Sequence, residues 1–60
     1  MAVYTFVVTV RDPHGGASSH YTETVHAAHV AQGRQFAEAR HIGGRFTERH
    51  VSAKLVKRKG

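Results

Sequence analysis

Residues 3–11, VYTFVVTVR, alternate between two sides of the chain, and this alternation decides the fold. Apolar side chains stand at every second position from Tyr4 to Val10, and most of the positions between them hold threonine or valine. A period of two in β-branched and aromatic residues is typical of a half-buried strand. We expect the side that carries Tyr4 and Phe6 to face the hydrophobic core.

A turn follows at residues 12–16, DPHGG, where Pro13 presets φ and the glycines tolerate positive φ. Residues 19–26, SHYTETVH, are rich in threonine and valine, whose restricted χ1 disfavours a helix. We predict a second strand here, antiparallel to the first. The alternative is a long helix that begins near Ser19 and gives a β-α-β order.

The period changes over residues 28–41, which predict a helix. Val30, Gly33, Phe36 and Ala37 fall within one arc at about 100° per residue. Glycine costs about 1 kcal/mol in a helix interior relative to alanine, so its place in the apolar arc suggests a close approach to the sheet. A glycine pair follows and is expected to end the helix.

Residues 50–57 alternate again and predict a third strand, which continues into a basic tail at residues 57–60. The positions expected to point inward are Val51, Ala53 and Leu55. Residues 1–60 therefore predict a single α+β domain of order ββαβ. One helix packs on one face of a three-stranded antiparallel sheet.

One helix covers only one face of such a sheet, so the other face should remain open. A chain of 60 residues buries only about 60% of its unfolded surface. Because the chain has no cysteine, disulfides cannot add stability. We therefore predict a homodimer, formed face to face or edge to edge. A platform for a ligand and simple exposure to solvent are the alternatives. The residues expected on this dimer or partner face are Val3, Thr5, Val7, Thr9 and Val56.

Nine Lys and Arg against four Asp and Glu give a formal charge of +5, which favours polyanionic partners. Much of this charge lies near the C-terminus, where one positive patch could engage several phosphates without reading base sequence. A basic tail that only aids solubility is the plainer alternative. The candidate nucleic-acid-binding residues are Arg45, Arg49, Lys54, Lys57, Arg58 and Lys59.

A small non-enzymatic module that binds nucleic acid is the function that the composition favours. The alternative is an inhibitor or adaptor, encoded by a phage or other mobile element, that docks on an acidic host protein. It would use the open sheet face or a strand edge. We expect a cytoplasmic protein, in the host cytoplasm if phage-encoded, and no membrane partner, because no apolar run approaches about 20 residues.

Catalysis, cofactors and bound metal are not expected. No paired carboxylates or nucleophile motif occur at a useful spacing. The six histidines are scattered, whereas transition-metal sites need three or four converging ligands. Surface histidines that make ordinary hydrogen bonds are the expected state.

Overall fold

A computed structural model describes residues 2–59. Its elements are β1 (Ala2–Val10), β2 (Ser19–Ala27), α1 (Val30–Ala39) and β3 (Val51–Lys59). The sheet has the order β2-β1-β3, and β1 is antiparallel to both neighbours. The predicted α+β fold of order ββαβ is confirmed, and residues 19–26 lie in a strand rather than in a helix.

The alternation of β1 is reproduced as alternating burial. Every even-numbered residue of the strand is buried and every odd-numbered one is half-buried. The even side faces α1 because aromatic and branched apolar side chains gain most from leaving water. The buried core consists of Ala2, Tyr4, Phe6, Val8, Val10, Val25, Ala27, Ala37 and Val51.

Helix α1 is shorter than the predicted range 28–41 because its start is set by a side-chain cap. Nδ1 of His29 accepts from the backbone N–H of Gln32 at 3.2 Å. Oε1 of Gln32 in turn accepts from the N–H of Ala28 at 2.8 Å. The bond to His29 satisfies an N–H group that the first turn leaves free, and the bond to Gln32 fixes the residue before the cap. The helix ends at Ala39, before the glycine pair.

Gly33 brings α1 close to the sheet, as its place in the sequence suggested. A Cβ at this position would lie 3.2 Å from a ring carbon of Tyr4 and 3.3 Å from carbons of Phe6 and Val25. Of the predicted apolar arc, only Gly33 and Ala37 are buried. Val30 and Phe36 remain exposed, because the short helix contacts the sheet over a narrow strip.

Strand β3 extends further than predicted. Residues 57–59, expected to be a tail, pair with β1, and Lys59 lies opposite Val3. Residue 60 lies outside the described residues. Leu55 lies opposite Phe6 on the helix side, as predicted, but 37% of it stays exposed because the helix does not cover the far edge of the sheet.

The last turn of α1 is attached to both outer strands. The Glu38 carboxylate accepts from the backbone N–H of Ala53 on β3 at 3.0 Å. Arg40 donates to Glu23 of β2 at 2.8 Å, and its Nη1 lies 3.5 Å from the carbonyl oxygen of Thr24. The helix is thereby held across the width of the sheet.

We expect Gly33→Ala to destabilise the protein. Three core side chains would have to move, and overpacking costs about 1–3 kcal/mol, against a gain of about 1 kcal/mol in helix propensity. Thermal or urea unfolding measures the net change in the free energy of unfolding. The exposed reciprocal change Ala31→Gly reports propensity alone, with an expected loss of about 1 kcal/mol. If Gly33→Ala instead raises the free energy of unfolding by about 1 kcal/mol, the contact between α1 and the sheet at Gly33 is not tightly packed.

Candidate nucleic-acid interface

The face of the sheet opposite α1 is made by residues that share rows across the three strands. Paired residues of antiparallel strands point to the same face, so the register assigns this surface directly. We call it the open face. Its residues are Val3, Thr5, Val7 and Thr9 of β1, His20, Thr22, Thr24 and His26 of β2, and Ser52, Lys54, Lys57 and Lys59 of β3.

A β-bulge in β3 determines which basic residues reach the open face. The register passes from Leu55 opposite Phe6 to Lys57 opposite Thr5, which leaves Val56 without a partner on β1. An extra residue of this kind inverts the alternation of the strand beyond it. Without the bulge, Lys57 would share the helix side with Leu55.

The bulge brings Lys54, Lys57 and Lys59 together in one row of exposed cations along β3. A regular strand would place Lys57 and Lys59 on the helix side together with Leu55. Because of the bulge, Arg58 takes that side instead, and all three lysines share the open face.

No carboxylate belongs to the open face among residues 2–59. Asp12 lies in the turn after β1 and accepts from the N–H of His14 at 2.9 Å. Glu23 points to the helix side, Glu38 binds the edge of β3, and Glu48 lies in the loop between α1 and β3. The lysine row therefore stands beside neutral neighbours that do not screen it.

Those neighbours are hydrogen-bonding groups. The hydroxyls of Thr5 and Thr24 lie 3.4 Å apart across β1 and β2. The hydroxyl of Thr9 lies 3.1 Å from Nδ1 of His20. Threonine hydroxyls and imidazole N–H groups are suitable donors to phosphate oxygens, so the face offers both charge and hydrogen bonds to a polyanion.

The six cations predicted as one patch are divided, and that part of the prediction is wrong. Arg58 is turned to the helix side, where its guanidinium lies 5.8 Å from the centroid of the Tyr4 ring. Arg45 and Arg49 lie in the loop between α1 and β3. The guanidinium of Arg45 lies 5.2 Å from the centroid of the Phe46 ring. The division follows from the bulge and from the loop, neither of which simple alternation could reveal.

The predicted dimer or partner face is mostly gathered on one surface. Val3, Thr5, Val7 and Thr9 are half-buried on the open face. Val56 is the unpaired residue of the bulge and is 60% exposed. Whether a protein partner uses these residues remains a prediction.

A separate cluster on the helix side was not found from the sequence. The carboxylate of Glu23 contacts Arg40 and Nε2 of His41, each at 2.8 Å. The hydrogen bond from Arg40, followed by that from His41, holds the pKa of Glu23 below its ordinary value of 4.5. The Tyr21 ring stacks on His41 with centroids 4.6 Å apart and forms one wall of a cleft of about 220 Å³.

Hydrogen bonds occupy several of the histidines. His29 caps α1, His41 contacts Glu23, and Nδ1 of His50 accepts from the N–H of Thr47 at 3.1 Å. Over residues 2–59, no group of three His, Asp or Glu side chains comes together in a way that could hold a metal ion. In the same part of the chain, no helix has the length and apolar character that crossing a bilayer requires.

Comparison with protein-family models, with curated proteins and with solved structures gave no match. Any role of the open face must therefore be inferred from geometry and charge.

We expect the Glu23 cluster to make the protein sensitive to acid. Because the pKa of Glu23 is lower in the folded chain, its contribution to stability is present above pH 4.5 and is lost as pH falls through the depressed pKa. Thermal unfolding from neutral pH down to about pH 2 measures this loss. Glu23→Gln should reduce the fall in stability with decreasing pH below about 4.5 (the acid limb of the plot of stability against pH).

Glu48→Gln is the matched control, since Glu48 is an exposed loop residue. It should leave the acid limb as in the parent chain. Equal acid limbs in the parent and in Glu23→Gln would mean that the cluster does not stabilise the fold.

Proposed function

We propose that this protein binds nucleic acid through phosphate contacts to the open face, with Lys54, Lys57 and Lys59 as the principal residues. One observation carries the proposal. The bulge at Val56 aligns these three lysines on a face to which no described carboxylate belongs. An uncompensated row of cations along a strand attracts a chain of regularly spaced negative charges.

The spacing of the row suits a phosphate backbone. The backbone rises about 3.3 Å per residue in a strand, so the four steps along β1 from Val7, opposite Lys54, to Val3, opposite Lys59, span about 13 Å. Phosphates along one strand of duplex DNA follow each other at about 3.4 Å of helix axis. The row therefore spans several phosphates, and flexible lysine side chains can each reach one.

The composition of the open face supports binding that does not depend on base sequence. Sheets that bind single strands by stacking present aromatic rings on the exposed face. Here Tyr4 and Phe6 are buried under α1, and no aromatic residue other than histidine belongs to the open face. Such a protein would act in the cytoplasm, where nucleic acid is available to it.

Measurement of affinity against salt concentration tests the proposal. If each of the three lysines neutralises one phosphate, log K against log salt should fall with a slope of about −2.7 on duplex DNA and about −2.1 on a single strand. Fluorescence anisotropy with labelled duplex and single-stranded oligonucleotides gives both slopes. Replacement of Lys54, Lys57 and Lys59 together by alanine should remove the binding.

A variant of equal charge is the control. Arg34, Arg45 and Arg58 lie on the helix, in the loop and on the helix side of β3, and their joint replacement by alanine also removes three positive charges. The proposal requires that this control keep most of the affinity and the slope. Equal losses in the two triple variants would show that net charge alone governs binding. No binding even at low salt would favour an acidic protein as the partner.

A further inference from the structure

The two outer strands of the sheet differ in how their free edges are protected. Exposed edges are commonly blunted by covering groups, by bulges and by lysines. β3 has all three, since Glu38 binds the backbone of Ala53, the strand is bulged at Val56, and it carries the lysine row. β2 has an uninterrupted register with β1 over its nine residues and contains neither lysine nor proline.

The register shows which backbone groups of β2 point away from the sheet. The N–H of Ala53 is bonded to Glu38 and so faces away from β1, where Ala53 lies opposite Val8. Val8 must then direct its own N–H and C=O toward Tyr21 on β2. By alternation, the backbone groups of His20 and Thr22 face outward.

The first half of β2 also carries fewer formally charged residues than β3 does. Its residues from Ser19 to Thr22 are exposed, and 46% of Tyr21 is exposed although its ring is held by stacking on His41. Glu23 is the one formally charged residue between positions 19 and 23, and Arg40 pairs with it. A second molecule of net charge +5 can therefore approach here with less repulsion than at the lysine row.

We propose that a second copy of this chain pairs with the edge of β2, antiparallel, about a two-fold axis at Tyr21. His20 then lies opposite the partner's Thr22, and the two Tyr21 side chains meet on the helix side. Residues 19–23 form the contact, and the Arg40 guanidinium 3.5 Å from the Thr24 carbonyl oxygen limits its extent. The dimer gives a small chain the extra buried surface that it lacks alone.

This geometry makes a six-stranded sheet. A two-fold axis perpendicular to the sheet keeps both helices on one side and both open faces on the other, and it places the lysine rows on the two outermost strands. The proposal does not depend on the proposed function, because its test contains no nucleic acid.

Amide hydrogen exchange at several protein concentrations, together with sedimentation equilibrium, tests the dimer. Sedimentation should give a mass about twice the 6.6 kDa of the chain. The amides of His20 and Thr22 should exchange at least about tenfold more slowly at millimolar than at micromolar concentration. The amide of Leu55, which alternation from Ala53 directs outward on β3, is the internal control and should not change.

Two substitutions at one position separate edge pairing from other contacts. Thr22→Pro removes the outward N–H, whereas Thr22→Val keeps it and remains β-branched. Thr22→Pro should weaken the dimer at least about tenfold, and Thr22→Val should leave it intact. Tyr21→Ala should also weaken it, and this variant decides the matter if Thr22→Pro does not fold.

A chain that stays monomeric at millimolar concentration would overturn the proposal. So would a dimer that survives Thr22→Pro, or that survives Tyr21→Ala where Thr22→Pro does not fold, because it would have to use another surface.

Discussion

The structure depends on the burial of one side of β1 beneath α1. β1 is the central strand, and both β2 and β3 pair with it rather than with each other. Tyr4, Phe6 and Val8 are at most 3% exposed, and they form the surface on which the helix rests. Each other element is positioned by its relation to this strand, so the open face exists because the odd-numbered residues of β1 have no second layer above them.

The same constraint explains the unusual features of the outer elements. The helix can approach closely only where it has no side chain, and Gly33 meets that need above Tyr4 and Phe6. β3 must pair with β1 along a segment that ends in three consecutive basic residues, Lys57, Arg58 and Lys59. A bulge at Val56 leaves Leu55 on the helix side and places Lys57 on the open face. The cationic row is thus a consequence of the bulge.

Much of the fold could be predicted because β1 and α1 have strong and different periods. The start of the helix could not be predicted, because its N-cap is His29. Histidine is outside the usual set of N-cap residues, which are Ser, Thr, Asp and Asn. The Glu23 cluster was missed for a different reason. Its members come from β2 and from the residues after α1, and only the packing of helix on sheet brings them within hydrogen-bonding distance.

The sequence by itself determined the three strands, the helix, the side of β1 that enters the core and the excess of positive charge, because these follow from local periodicity and composition. Only the tertiary structure decided which cations lie on the same face. Lys54, Lys57 and Lys59 share a face while Arg58 is turned away, since one unpaired residue inverts the alternation of everything beyond it. The position of such a residue is set by the pairing with the partner strand, which the local sequence does not contain.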